Sequence, residues 1–140
     1  MKTIVILGDL ESAKKIDYRE EYPGCHVIGC DDTFSEDIDE IYSVDDDIQQ
    51  KILDSGFCKN SVCNFAYNSR TVAPPEHSGE KEDKVVLLPP LPPFVTSKIF
   101  ALLYTLESGL DVDTIVLIAK EKIPAEEIDG TTGPVKVIQR

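Results

Sequence analysis

The sequence predicts an α/β domain with a mainly parallel sheet, helices on both of its faces and a C-terminal antiparallel edge strand. Three observations predict it. Short β-branched and aliphatic runs recur at positions 2–7, 25–30, 41–44, 61–67, 84–88 and 114–119, and continuous apolar runs of this length suit strands buried on both faces. Segments with helical spacing alternate with them, the pattern of a parallel sheet built from crossover units. The length of 140 residues fits one domain with a real core.

Each element has a local signal. Ile4-Val5-Ile6-Leu7 is the first buried strand, followed by the turn Gly8-Asp9-Leu10-Glu11-Ser12. A helix is expected over about 11–21, ended by Pro23-Gly24. The second strand, near 25–30, closes on Asp31-Asp32-Thr33, and 35–40 has room for one helical turn. After a short strand at 41–44, Asp45-Asp46-Asp47 supplies an N-cap and favourable charge for a helix carrying Ile48, Ile52 and Leu53, with Gly56 as its C-terminal cap. A strand at 61–67 precedes the polar stretch 68–84, either a flexible insertion or a functional lid. Positions 84–88 read as a buried strand, and Pro89-Pro90-Leu91-Pro92-Pro93 forces an extended connection. Thr96 then caps a helix whose apolar face carries Ile99, Phe100, Leu102, Leu103 and Leu106, with Val95 and Phe100 as a hydrophobic staple and Gly109 as the stop. A buried strand at 114–119 and a closing Val135-Lys136-Val137-Ile138 complete the order. The arrangement is Rossmann-like.

Composition excludes several function classes. The net charge of −12 argues against passive binding to duplex nucleic acid, which relies on Lys and Arg. It leaves room for a small anionic ligand held by helix N-termini, backbone N–H groups and one or two cations. No apolar run approaches the roughly 20 residues that span a bilayer, and the N-terminal run is too short for a signal peptide, so a cytoplasmic protein without membrane contact is expected. From Asp31 to Asp54 there are ten acids and one base, Lys51. That run reads as a solvated face, a docking surface for a basic partner, or a divalent-metal site at one end. Cys25, Cys30, Cys58 and Cys63 form two C-x4-C pairs, wider than the usual zinc knuckle, and all four are expected as unligated thiols in strand or core positions. No metal and no resident cofactor is expected.

In such a sheet, ligands bind outside the carboxyl ends of the strands. The residues placed there are Gly8, Asp9 and Ser12 after the first strand, then Asp31, Asp32 and Thr33 after the second. Asn68, Ser69 and Arg70 follow the central strand, and Lys120 closes the penultimate one. The turn after the first strand is neither G-x-G-x-x-G nor a P-loop. Asp31 or Asp32 stands where a ribose-binding acid sits in many nucleotide-binding sheets, and Asp9 with either of them has the oxygen ligands a hard cation takes. The start of the Thr96 helix is the strongest anion candidate: Thr96 and Ser97 offer hydroxyls, the helix offers free N–H groups and Lys98 adds charge. Arg70, alone between Arg19 and Arg140 and beside Asn68 and Ser69, suits a phosphate clamp. Capping, solvation and ordinary surface placement explain the same residues without a ligand. His26 falls in a strand and His77 in the polar stretch, so neither reads as a catalytic base.

One pattern goes further. The run Val85-Val86-Leu87-Leu88-Pro89-Pro90, then Thr96-Ser97-Lys98-Ile99-Phe100-Ala101-Leu102-Leu103-Tyr104, then Ile115-Val116-Leu117-Ile118 and the closing Val135-Lys136-Val137-Ile138 resembles small stand-alone CRISPR-associated proteins related to CARF domains. The passage Ile41-Tyr42-Ser43-Val44-Asp45-Asp46-Asp47-Ile48 is similar to their strand-to-helix step. The resemblance is one of pattern and order, over about the last 60 residues and more loosely before them. It implies a homodimer with a cyclic oligoadenylate, a small nucleotide ligand, across its two-fold axis. It implies binding alone, as in sponges, or ring cleavage by a ribose 2′-hydroxyl aligned with the phosphate, as in ring nucleases. Ser12, Arg70, Thr96, Ser97 and Lys98 would then be the donors. An acidic, non-catalytic interaction module and an unrelated nucleotide-dependent enzyme are the alternatives.

Overall fold

The computed structural model describes residues 2–66, 84–88, 96–107, 111–124 and 135–140. They form one seven-stranded sheet: β1 (Lys2–Leu7), β2 (His26–Cys30), β3 (Glu40–Ser43), β4 (Val62–Ala66), β5 (Val85–Leu88), β6 (Val112–Ile118) and β7 (Lys136–Gln139). The spatial order is β5-β4-β3-β2-β1-β6-β7, and every neighbouring pair is parallel. The chain therefore builds outward from β1 to β5, returns through a helix, and lays β6 against the other side of β1. That reversal falls between β1 and β6. It is the Rossmann-like α/β sheet that the alternating pattern predicts.

Alternation within the strands divides the core into two layers. Val5, Leu7, Val27, Ile41, Cys63, Phe65, Val116 and Ile118 face the helices α1 (Leu10–Ala13), α2 (Tyr18–Glu21) and α3 (Asp46–Ser55), with Ala13, Tyr18 and Ile52 packed onto them. Ile4, Ile6, Ile28, Cys30, Tyr42, Ile115 and Leu117 face α4 (Ser97–Glu107) through Phe100, Ala101 and Leu102. Phe100 sits edge-on between Tyr42 and Tyr104, at ring-centroid distances of 5.3 and 4.9 Å. Among the described residues, no helix is long and apolar enough to cross a membrane.

The caps act as the sequence predicts. Asp45 Oδ1 accepts from the N–H groups of Asp47 and Ile48, and Gly56 ends α3 at φ 82°. Thr96 Oγ1 accepts from Ile99 N–H at the start of α4. The proposed staple residue Val95 and the stop Gly109 lie outside the described residues, as does nearly all of the 68–84 stretch.

Five expectations are corrected. The helix expected over 11–21 is two short helices, because α1 ends at Ala13 with Lys14 as its C-cap and Asp17 caps α2 afresh, its carboxylate accepting from Glu20 N–H at 3.2 Å. The helical turn expected at 35–40 is a 3₁₀ turn over Asp31–Ser35 instead, entered through Asp31 at φ 53°. β5, expected as a buried strand, lies at the edge of the sheet: among the described residues it is bonded to β4 alone, with Val86 42% exposed. Its apolar run serves both layers: Val85 and Leu87 pack on one core and Leu88 on the other. β7 is an edge strand, as expected, yet it pairs parallel to β6, from Thr114↔Lys136 to Leu117↔Gln139. Positions 119–135 are long enough for the crossover that a parallel neighbour requires, roughly a dozen residues. Last, Cys58 and Cys63 are joined in a disulfide, while Cys25 and Cys30 are free and buried. The 3₁₀ turn Phe57–Lys59 reverses the chain just before β4 and sets the two Cα atoms 5.7 Å apart, within bridging range.

Candidate functional site

The reversal between β1 and β6 is the place where a parallel open sheet leaves a crevice, because the connections from the two strands depart in opposite directions. A cavity of about 360 Å³ lies there. Its walls come from four segments: Gly8 to Glu11 after β1, Asp31 and Asp32 after β2, Thr96 to Lys98 at the start of α4, and Ala119 to Glu121 after β6. Of the candidates read from the sequence, Gly8, Asp9, Thr96, Ser97 and Lys98 thus meet in one cavity. Ser12 touches it only through Asp9. Asn68, Ser69 and Arg70 lie outside the described residues.

Asp9 is the joint between the two central strands. One carboxylate oxygen accepts from Ser12 N–H at 2.7 Å; the other accepts from Ser12 Oγ at 3.1 Å and from Lys120 N–H at 2.7 Å. Burial pushes this carboxyl up, but the Lys120 and Ser12 donors, together with the Lys98 charge, outweigh it and hold the pKa below the usual value. Gly8 donates its N–H to Ile118 carbonyl at 2.8 Å, and a Cβ on Gly8 would stand 2.7 Å from Ala119 Cβ. The glycine is there because the ends of β1 and β6 close on each other, not to supply a phosphate loop.

Asp31 forms the second joint. Its Oδ1 accepts from Ser97 Oγ at 2.6 Å and from Ser43 Oγ at 3.2 Å, and Ser97 Oγ in turn accepts from Val44 N–H at 3.1 Å. The ends of β2 and β3 are so tied to the first residue of α4. Burial raises the Asp31 pKa, against the two hydroxyl donors, and the neighbouring Asp32 and Asp45 charges raise it further. The hydroxyl expected to bind an external anion therefore already serves an internal carboxylate. Asp9 and Asp31, weighed in the sequence as cation ligands, are committed to protein donors, and among the described residues no group of three or more His, Cys, Asp or Glu forms a metal site.

Lys98 spans the cavity. Its stem passes over Gly8, with Cδ 3.5 Å from where a Cβ would be, and its Nζ donates to Glu121 carbonyl at 2.6 Å. Glu11 and Glu121 are lining residues that sequence reasoning missed, although both follow a strand end within a few positions. The lining holds five carboxylates, Asp9, Glu11, Asp31, Asp32 and Glu121, against two ammonium groups, Lys98 and Lys120. His26 is at the opposite end of the sheet, with Nδ1 3.6 Å from Asp39 and Nε2 3.4 Å from Glu40.

The acidic run 31–54 is also distributed by the fold. Asp31 binds the α4 start, Asp39 accepts from Val27 N–H and pairs with Arg19, Asp45 caps α3, and Asp54 accepts from Gln50. These groups occupy both ends of the sheet. Comparison with family models, curated proteins and solved structures returns no match.

Proposed function

We propose that this chain binds a nucleotide-type ligand in the crevice between the ends of β1 and β6. One observation carries the reading: the cavity stands at the topological reversal of the sheet, with the start of α4 and both Lys98 and Lys120 on its wall. The ribose hydroxyls would donate to the exposed Asp32 carboxylate, and a phosphate would sit beside the two lysines, displacing the Lys98 contact with Glu121. The surplus of carboxylates in the lining disfavours free polyphosphates and is better matched by a phosphodiester, which carries a single charge per nucleotide unit.

A cyclic oligoadenylate, to which the sequence pattern points, is the specific form of this proposal. A volume of about 360 Å³ is at the small end of ligand pockets, roughly 300–1,000 Å³, and has room for one nucleotide unit. A ring would therefore need two such cavities facing each other across a homodimer axis. Turnover would proceed by attack of a ribose 2′-hydroxyl, losing its proton, on the adjacent phosphodiester: the new P–O2′ bond gives a 2′,3′-cyclic phosphate as the P–O5′ bond breaks, and the leaving 5′-oxygen takes up a proton to become a hydroxyl. A cytoplasmic location belongs to the same proposal. The division of the acidic run between the two ends of the sheet supports this reading over an acidic docking module.

Calorimetric titration with cyclic tri-, tetra- and hexa-adenylate, and with AMP, tests it in wild type and Lys98→Ala. Binding of at least one ligand, weakened about tenfold by the loss of one charge-assisted contact, is expected. No heat with any of the four overturns the proposal. Heat with AMP alone removes the ring, and a ring recovered intact after long incubation makes the chain a binding protein without turnover.

A further inference from the structure

The segment 58–63 is closed on itself by the Cys58–Cys63 bridge, and the closed loop grips the first residue before β5. Lys84 N–H donates to Cys58 carbonyl at 2.7 Å, Lys84 carbonyl accepts from Cys63 N–H at 2.8 Å, and Lys84 Nζ donates to Asn60 carbonyl at 3.3 Å. Both backbone bonds of Lys84 are thus made to the two bridged cysteines. The β4–β5 ladder starts at this point, with Cys63↔Val85, and runs only to Ala66↔Leu88. Nothing among the described residues pairs with the outer side of β5.

We propose that the Cys58–Cys63 pair is a redox latch on the edge strand β5. Oxidised, it holds the loop in the shape that seats Lys84. Reduced, it lets the loop open and β5 leave the sheet, while the β1–β6 centre stays folded. The step is thiol–disulfide exchange with a small thiol such as glutathione. A thiolate attacks one sulfur to give a mixed disulfide, and a second thiol releases it. Two electrons and two protons end on the two cysteine thiols, and the reductant leaves as its own disulfide.

Three features support a latch. Cys58 is 1% exposed and Cys63 0%, so a reductant reaches the sulfurs only when the loop lifts from Lys84. Reduction and release of β5 are therefore linked, each favouring the other. The loop tip, Lys59 and Asn60, is exposed, so beyond the core packing of Phe57 and Cys58 and the backbone bonds of the turn, the bridge is the covalent tie that keeps the loop closed. Cys25 and Cys30 do not compete in the exchange, because burial raises both thiols, Cys30 well above its ordinary value, and the thiolate is the reactive form. From β5 the chain passes to α4, whose first residues wall the cavity, so the latch acts on the strand that leads into the site.

Hydrogen exchange by mass spectrometry on the whole chain, in oxidised and reduced glutathione without denaturant, tests the proposal. The expected result is two newly alkylatable cysteines, 58 and 63, with exchange over 84–88 faster by about tenfold or more and exchange over 2–7 and 112–118 unchanged. A Cys58→Ser/Cys63→Ser chain should show the fast β5 exchange in both buffers. A Cys58→Ala/Cys63→Val chain, which keeps the site apolar, gives the same comparison if the serine pair does not fold. A bridge that opens only in denaturant, equal β5 exchange in both buffers, or acceleration that extends to β1 and β6 would overturn the latch; the last outcome describes a structural staple.

Discussion

Ser97 Oγ donates to Asp31 Oδ1 at 2.6 Å, across 66 positions of sequence, and fastens the start of α4 to the end of β2. The same oxygen accepts from Val44 N–H at 3.1 Å, so one buried hydroxyl, 3% exposed, joins three elements around the cavity. Ser97→Ala leaves a part-buried carboxylate with one donor fewer and the Val44 N–H without its acceptor. Hydrogen bonds to charged groups contribute roughly 1.5–3 kcal/mol, so a loss of about 2 kcal/mol is expected in urea unfolding. A change below about 0.5 kcal/mol, the range of ordinary surface substitutions, would show that the contact does not hold α4 in place.

Asp31 should also be visible in the pH dependence of stability. Burial raises its pKa in the folded state, so between the ordinary value of 3.8 and the folded value the native chain holds a proton that the unfolded chain has lost. The unfolded state then binds fewer protons, and stability falls as pH rises through this window. Asp9 and Asp39 act in the opposite sense: both are lowered, with N–H donors and basic neighbours outweighing burial, and their contribution is lost as pH falls through their folded values. Asp31→Asn keeps an acceptor for Ser97 and tolerates the left-handed φ of 53°. It should raise the melting temperature at pH 7, and the gain should vanish at pH 3. A gain that is the same at both values would assign the effect to something other than the charge.

The centre of the sheet was legible because β1 and β6 are buried on both faces, which leaves no position free for a polar residue between Ile4 and Leu7 or between Ile115 and Ile118. Asp45 and Gly56 were legible because capping chemistry is local. The edges were not. Val85-Val86-Leu87-Leu88 is as apolar as a central strand, and only the order of strands in space makes it an edge. Val135-Lys136-Val137-Ile138 has the alternation of a half-exposed strand, which is silent about direction. The cavity was half legible. Strand ends named Asp9, Lys98 and Lys120, but pairing Ser97 with Asp31 needs the return of α4 across the sheet, which no local spacing encodes. The disulfide was missed because a C-x4-C spacing is common to strands and bridges alike, and the turn at 57–59 decides between them.

The last prediction concerns the point where β1 and β6 close. A Cβ on Gly8 would meet Ala119 Cβ at 2.7 Å, with Ile118 O and Lys98 Cδ each at 3.5 Å. The two 3.5 Å contacts are ordinary; the Ala119 contact is not, and both atoms are fixed by the backbone. Gly8→Ala must therefore push the strand ends apart, at the expense of the Gly8 N–H bond to Ile118 carbonyl and the Asp9 bond to Lys120 N–H. Overpacking of this kind costs about 1–3 kcal/mol. If Ala119 is the cause, Gly8→Ala/Ala119→Gly should recover most of the loss, beyond the small penalty of a second glycine. Equilibrium unfolding of the wild type, both single variants and the pair closes a double-mutant cycle. A pair no more stable than Gly8→Ala alone would mean that the glycine answers to the backbone of the turn, and that the close approach of β1 to β6 is not what sets the width of the cavity floor.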